Sequence, residues 1–133
     1  MKKAKDEIVT PATVNNRTVG AQKERLARWF LEQKGYVILE MNYRCYLGEI
    51  DLIAKKENYL VFVEVKYRKN ESKGYPGAAV NWQKQKKISA VAKYYACGRG
   101  YSQEQAFRFD VVEILGNKIR VIENAFDYKG GNR

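Results

Sequence analysis

The 133-residue sequence contains no histidine and has only two cysteines and two prolines. Without histidine, no catalytic mechanism can use an imidazole as nucleophile, general base or metal ligand. A structural zinc site needs about four Cys or His ligands, which Cys45 and Cys97 alone cannot supply. We expect both thiols to stay reduced, as in cytoplasmic proteins. Any catalytic chemistry must therefore use carboxylates and lysines, with or without a hard metal ion.

Long hydrophobic runs are also missing. No apolar stretch approaches the roughly 20 residues of a membrane-spanning helix, and residues 1–20 are too polar for a secretory signal. The expectation is a cytoplasmic protein with no membrane partner. The length fits one domain with its own core. We expect this domain over residues 18–128, after a flexible basic leader (1–17) and before a disordered tail (129–133).

Acidic residues are outnumbered by basic ones, 15 to 25, which gives a net charge of +10. Such an excess in a small domain favours a polyanionic partner, because binding to phosphates releases condensed counterions. The alternative is a basic protein that binds no nucleic acid. The charge favours nucleic acid.

Hydrophobic periodicity predicts a mixed α/β fold. Apolar residues recur at helical spacing between Gly20 and Gly35, where Thr18 could cap the start of a helix and Gly35 could end it. A second helix is expected over residues 80–96. The alternating segments predict five strands: 36–43, two strands on either side of a turn at Glu57–Asn58, and a hairpin formed by 107–115 and 118–122. This order predicts a mixed sheet flanked by helices.

The central hairpin carries the candidate chemistry. A two- or four-residue turn centred between Glu57 and Asn58 places Asp51 opposite Glu64, and Glu49 opposite Lys66. Because side chains alternate, these four polar residues are expected on one face. The other face is expected to form a core and carries Ile50, Leu52, Ala54, Val61, Val63 and Val65. A three- or five-residue turn would remove this pairing.

Two carboxylates placed directly opposite each other repel, and purely structural sheets tend to avoid such pairs. A divalent cation between Asp51 and Glu64 would turn this repulsion into coordination, and Mg²⁺ or Mn²⁺ prefers such oxygen ligands. Lys66 could then orient an attacking water or stabilise charge on a phosphate. The alternative is a solvated polar face on which Glu49 and Lys66 form a surface ion pair.

The segments GEIDLIA (Gly48–Ala54) and VFVEVKYR (Val61–Arg68) resemble the YraN-like family. That family belongs to the restriction-endonuclease-like superfamily, whose site is written PD-(D/E)xK, and is similar to archaeal Holliday junction resolvases. The resemblance extends from Gly20 to Phe126 and includes GAQKERLA, RFDVV and ENAF. Ile50 stands where the superfamily motif has proline.

The resemblance implies a restriction-endonuclease-like mixed β-sheet flanked by α-helices, in a single domain. It also implies that Asp51, Glu64 and Lys66 are the catalytic triad, with Mg²⁺ or Mn²⁺ as cofactor. Glu24 on the first helix matches an additional acidic position, although an i, i+4 pair with Arg28 is the alternative. The candidate catalytic residues are Asp51, Glu64, Lys66, Glu24 and Glu49, and the candidate metal ligands are Asp51, Glu64 and Glu49.

A basic surface beside these residues could bind nucleic acid, with Trp82 and Tyr75 available for stacking. The alternative is a solvated helix face with Trp82 in the core. Asp110 is expected to have a structural partner, and Tyr94 and Tyr95 are expected to pack. The candidate nucleic-acid-binding residues are Arg44, Arg68, Lys69, Gln83, Lys84, Lys86 and Lys87.

These features together predict a metal-dependent endonuclease that hydrolyses DNA phosphodiester bonds. The similarity to resolvases extends the expectation to branched or structured DNA, and resolvase-like action on a symmetric junction would require a homodimer. The alternative is a non-catalytic nucleic-acid-binding subunit of a DNA-processing complex that retains the endonuclease fold.

Overall fold

Two helices lie on opposite faces of one mixed sheet. The computed structural model describes residues 4–9, 19–69 and 80–130. Neither helix in these ranges is long and apolar enough to span a membrane. The elements are β1 (Ala4–Val9), α1 (Val19–Gln33), β2 (Val37–Cys45), β3 (Gly48–Lys56), β4 (Tyr59–Arg68), α2 (Trp82–Gly98), β5 (Phe107–Leu115) and β6 (Lys118–Phe126).

The sheet has the strand order β1-β6-β5-β4-β3-β2. Among the strands that the structure describes, β4 and β5 alone are parallel, and the other neighbours pair antiparallel. A parallel pair needs a crossover connection, and α2 lies in the segment between β4 and β5. The predicted α/β class, single domain and order of the five later strands and two helices are confirmed.

The two ends of the chain differ from the expected flexible segments. Residues Ala4–Val9 form β1, which pairs with β6 at one side of the sheet, whereas the sequence placed them in a leader. At the other end, the Lys129 backbone N–H donates a hydrogen bond to Ser89 Oγ at 2.8 Å, so the chain is still bound to α2 there. Thr18 and residues 131–133 lie outside the described residues.

Each helix buries an apolar face against the sheet. On α1, Leu26, Ala27, Phe30 and Leu31 pack into one cluster, and the helix is followed by Gly35 at φ 89°, as predicted. On the other face, α2 packs into a second cluster. It begins after Asn81, whose side chain accepts a hydrogen bond from the Lys84 N–H at 2.8 Å. An Asn at this position satisfies a free N–H of the first turn.

The register of the central hairpin is the predicted one as far as the ladder extends, and the predicted pairs Asp51–Glu64 and Glu49–Lys66 lie beyond its end. Leu52 pairs with Val63 and Lys56 with Tyr59, around a two-residue turn at Glu57–Asn58. The prediction for Ile50 is wrong, because Ile50 packs in the α2 cluster whereas Leu52 packs in the α1 cluster.

The reason is a break in the alternation of side chains. Asn42 on β2 has φ 55°, and it stands opposite Asp51, between the pairs Met41–Leu52 and Tyr43–Ile50. Met41 and Tyr43 also pack on opposite faces of the sheet. Both strands therefore exchange faces at the level of Asp51, which simple alternation cannot predict.

Asp110 has the structural partners that were expected. Its carboxylate accepts hydrogen bonds from Tyr36 Oη at 2.6 Å and from both Nε and Nη2 of Arg108. The Asn124 N–H donates to the same carboxylate at 2.9 Å. Burial and the neighbouring Asp110 raise the pKa of Tyr36, so the phenol remains a donor. Asp110 thus joins β5, β6 and the segment after α1, away from the candidate chemistry. Both cysteines are free thiols, as expected.

Candidate active site

Asp51 lies where β3 and β4 stop pairing. The ladder between the two strands runs from Lys56–Tyr59 to Leu52–Val63. Immediately beyond it, Asp51 Oδ2 accepts a hydrogen bond from the Val65 backbone N–H at 2.8 Å. A side-chain carboxylate therefore takes the place of a backbone carbonyl, and the two strands separate around it. This bond holds the Asp51 carboxylate beside Glu64.

Burial, followed by the neighbouring Glu64, raises the pKa of Asp51 to about 7, and Glu24 adds to the effect. The Val65 hydrogen bond acts in the opposite direction. Asp51, which would ordinarily be fully ionised at neutral pH, therefore holds its proton more tightly because a second carboxylate, Glu64, lies beside it. The expected electrostatic conflict between Asp51 and Glu64 is present in the fold.

Lys84 enters this acidic cluster from α2. Its Nζ lies 3.1 Å from Glu64 Oε2, and the Glu64 side chain is only 10% exposed. Burial lowers the pKa of Lys84, but Glu64, Asp51 and Glu49 raise it by more, so that the net shift is upward. The sequence predicted Lys84 as a phosphate contact. In the structure its ammonium forms an ion pair with Glu64.

Glu24 and Glu49 lie at the rim of the cluster. Burial, followed by Glu49, raises the pKa of Glu24, so Glu24 faces the acidic group. The alternative pair with Arg28 does not form, because Arg28 instead contacts Glu32 at 3.1 Å. Glu49 is half-exposed.

Arg44 bonds Glu49 at 3.3 Å, in place of the alternative pair between Glu49 and Lys66. Four of the five candidate catalytic residues therefore form one electrostatically coupled group: Asp51, Glu64, Glu24 and Glu49. Glu49 is the most exposed of the four.

Lys66 follows Glu64 on the α2 face of β4 and is half-buried. Its register partner on β5 is Glu113, which is fully buried. Arg120 Nη2 lies 2.6 Å from Glu113 Oε1, whereas Glu113 Oε2 has no hydrogen-bond partner among the described residues. The sequence analysis did not consider Glu113. Its single charge within the apolar run VVEIL was the available clue.

The described residues contain no group of three Asp, Glu, His or Cys side chains close enough to form a metal cage. A cage of that kind is not required for Mg²⁺, which commonly uses one or two carboxylates together with water and substrate phosphate. Asp51 and Glu64 are hard oxygen donors whose mutual repulsion a cation would relieve. The donor set and its electrostatics therefore fit a divalent metal ion.

The remaining predicted nucleic-acid contacts are on the surface. Trp82 is 59% exposed, which excludes a core position, and Lys86 Nζ lies 4.8 Å from its ring centroid. Tyr75 lies outside the described residues. The other exposed candidates are Arg44, Arg68, Lys69, Gln83 and Lys87.

A cavity of about 220 Å³ opens between the acidic cluster and α2. It is lined by Gly48, Glu49, Lys84, Lys87 and Ile88. The cavity gives solvent access to the side of the cluster on which Lys84 lies.

A family profile and several related proteins all match this chain to the same family. The profile of the uncharacterised protein family UPF0102 matches residues 23–114. A UPF0102 protein of Lachnoclostridium phytofermentans is 49% identical over 117 residues, covering 88% of this chain and 99% of its own length. Relatives from Alkaliphilus metalliredigens and Caldanaerobacter subterraneus are 46% and 44% identical, covering 84% and 85% of this chain and 99% and 98% of their own lengths. The matched region contains Glu24, Asp51, Glu64 and Lys66.

Proposed function

The chain belongs to the UPF0102 family, and we propose that it is an endonuclease that hydrolyses DNA phosphodiester bonds with Mg²⁺ or Mn²⁺. The observation that carries the proposal is the pair of carboxylates at the separation of β3 and β4. There Asp51 is fixed by Val65 N–H beside the buried Glu64. Two carboxylates held side by side repel each other, and a divalent cation between them would relieve that repulsion.

The resemblance of GEIDLIA and VFVEVKYR to the YraN-like family supports the same chemistry. It implies a fold of the restriction-endonuclease-like superfamily, and the mixed sheet between two helices in the described residues is compatible with that fold. Asp51, Glu64 and Lys66 correspond to the PD-(D/E)xK residues, and Glu24 to the additional acid.

Each residue has a defined task in this proposal. Asp51 and Glu64 would hold the cation, with Glu49 and Glu24 as auxiliary acids. When bound, the divalent cation supplies stabilisation of negative charge on the phosphate and lowers the pKa of water. Lys66 donates hydrogen bonds, and can therefore orient the attacking water or stabilise charge that develops on phosphate. The hydrogen bond from the Val65 N–H orients the Asp51 carboxylate.

The surface around the acids favours a polyanionic substrate. The chain carries a net charge of +10, and the exposed cations Arg44 and Lys87 flank the Glu49 side of the cluster. Contacts to phosphates hold a duplex without selecting its sequence. The similarity of the YraN-like family to resolvases supports branched or structured DNA as substrate. Cutting a symmetric junction in this way would use a homodimer. We also propose that the protein acts in the cytoplasm.

A second candidate function is a non-catalytic nucleic-acid-binding subunit that retains an endonuclease fold. The observation in its favour is the contact of Lys84 with Glu64, because a lysine can neutralise a buried carboxylate without any metal. However, this contact leaves Asp51 with its raised pKa. A domain selected only for phosphate binding gains nothing from acids that repel phosphate.

The test is cleavage of labelled single-stranded, duplex, flap and four-way-junction DNA with Mg²⁺ or Mn²⁺. Wild type is compared with Asp51→Asn and Lys66→Ala, and with the matched controls Asp127→Asn and Lys55→Ala, which change residues outside the cluster. We expect metal-dependent cutting that both site variants lose and both controls retain. Salt-sensitive DNA binding without cutting by wild type would instead support the binding subunit.

A further inference from the structure

Two exposed tyrosines form a ring pair beside the candidate active site. Tyr46 occupies the turn between β2 and β3 and is 83% exposed. Its ring centroid lies 5.5 Å from that of Tyr94 on α2, with the ring planes at 83°. The expectation that Tyr94 and Tyr95 both pack holds for the buried Tyr95 only, because Tyr94 is 44% exposed. Neither Tyr46 nor Tyr94 is needed to complete the core.

The ring pair borders a cleft of about 330 Å³. This volume lies within the range of cavities that accept a small organic ligand. The cleft is lined by Tyr46, Leu47, Ala90, Lys93, Tyr94 and Cys97. It combines an apolar floor with an exposed aromatic face, which is the environment that a planar base requires.

The cleft and the cavity at the acidic cluster are lined by neighbouring segments of the chain. Tyr46 and Leu47 of one cavity are followed in the chain by Gly48 and Glu49 of the other. On the opposite wall, Lys84, Lys87 and Tyr94 recur at helical spacing and lie along one side of α2. The helix rises about 15 Å between Lys84 and Tyr94, a span of about four stacked nucleotides. We call this combined surface the α2 groove.

The charges beside the α2 groove favour an anionic occupant. Lys87 lines the cavity at the acidic cluster and is exposed. Arg44, on β2, is also exposed, and it pairs with Glu49 at 3.3 Å. A second copy of the chain would place another domain of charge +10 against them, which like-charge repulsion opposes. Interleaved aromatic and cationic side chains are the typical features of single-strand binding sites, where bases stack on rings and cations follow the phosphates.

We propose that the α2 groove binds unpaired nucleotides of a DNA strand, with a base stacked on Tyr46 and the backbone passing Lys87 towards Glu49. The inference rests on the proposed nuclease function for the role of that strand. It defines the substrate class as DNA with a single-stranded segment next to the duplex. The Tyr46 ring sets no base preference, because every base has a stacking face.

The test measures binding in EDTA, so that no cleavage occurs. A blunt duplex is compared by fluorescence anisotropy with the same duplex carrying an unpaired extension that contains 2-aminopurine. We expect Tyr46→Ala to weaken binding of the extended duplex about tenfold and to abolish the fluorescence change of the 2-aminopurine. Binding of the blunt duplex should not change. Tyr46→Phe should behave as wild type, because it keeps the ring.

Tyr59→Ala is the matched control, because Tyr59 is an exposed tyrosine at the start of β4, next to the turn at the other end of β3. Equal loss of affinity for both duplexes, or no effect of Tyr46→Ala on the extended one, would overturn the inference. So would a dimer in sedimentation velocity that Tyr46→Ala dissociates, since the groove would then hold a second copy.

The two proposals fail in different ways. Metal-dependent cutting without any dependence on Tyr46 leaves the nuclease and removes the strand site. Tyr46-dependent binding of the extension without cutting keeps the strand site and removes the nuclease.

Discussion

The ammonium group of Lys84 lies 3.1 Å from Glu64 Oε2, so α2 places a cation among the carboxylates that we propose as metal ligands. A lysine and a divalent ion near the same two carboxylates repel each other. Metal binding should therefore release Lys84 from Glu64 and leave its ammonium available to a phosphate.

Replacing Lys84 should consequently strengthen metal binding. We expect Lys84→Met to raise Mn²⁺ affinity at least about tenfold, because one nearby positive charge is removed from a partly buried site. Calorimetric titration of Mn²⁺ into the protein measures this. Lys86→Met is the matched control, since Lys86 lies over Trp82 on the same helix. A loss of affinity in Lys84→Met would mean that Lys84 organises the carboxylates instead of competing for them.

The stability of the metal-free protein should depend on the titration of Asp51. Its folded pKa is about 7, compared with an ordinary value of 3.8. The folded state therefore holds the proton more tightly than the unfolded state. This difference adds up to about 4 kcal/mol to the free energy of unfolding. The added stability is fully present below about pH 4 and is lost as the pH rises to about 7.

Chemical denaturation in EDTA across this pH range tests the effect as the difference between wild type and Asp51→Asn. We expect the variant to become more stable than wild type as pH rises, and Mn²⁺ to stabilise wild type alone. The same substitution at the exposed Asp127 should leave the pH profile unchanged. A wild-type profile that coincides with that of Asp51→Asn would show that Asp51 ionises freely in the fold.

Glu113 and Arg120 should be strongly coupled. Their ion pair joins β5 to β6, and the Glu113 side chain is fully buried. Arg120→Met would leave this charge without its partner, so we expect a loss of about 3–5 kcal/mol in the free energy of unfolding. The double variant Glu113→Leu/Arg120→Met should recover most of that loss. Urea denaturation of wild type, Arg120→Met, Glu113→Leu and the double variant measures the coupling, and purely additive effects would contradict it.

Asn42 should tolerate glycine but not valine. Its φ of 55° lies in the left-handed region, which a β-branched side chain disfavours by about 1–2 kcal/mol. We expect Asn42→Val to lose about this much stability and Asn42→Gly to stay within about 1 kcal/mol of wild type. Because Asn42 stands opposite Asp51, the valine variant should also bind Mn²⁺ more weakly. Equal stability of the two variants would mean that the backbone adopts an ordinary strand conformation at this position.

Much of this arrangement could be predicted from local patterns. The spacing of Leu26, Phe30 and Leu31 predicted α1, and the turn at Glu57–Asn58 determined the register between β3 and β4. These features depend on near neighbours in the sequence. The same register predicted that Asp51 and Glu64 would be neighbours, although the ladder itself ends at Leu52–Val63.

The remaining features depend on contacts between distant segments. Strict alternation of side chains along β3 predicted that Ile50 and Leu52 would lie on the same face of the sheet. In the structure they lie on opposite faces, next to the left-handed Asn42 of the neighbouring strand. Nothing local in the sequence indicated that Lys84 would reach Glu64 across 20 positions of the chain. The pairing of β1 with β6 likewise joins opposite ends of the molecule.

The irregular backbone of β2 has a consequence for association between molecules. β2 is the outermost strand on its side of the sheet, where free N–H and C=O groups could template another strand. The register shift between Ile38 and Glu40, followed by the left-handed Asn42, interrupts this row of groups. Bulges of this kind are a common defence against edge-to-edge aggregation. Any homodimer of this protein should therefore form through side chains elsewhere, and not by extending the sheet across β2.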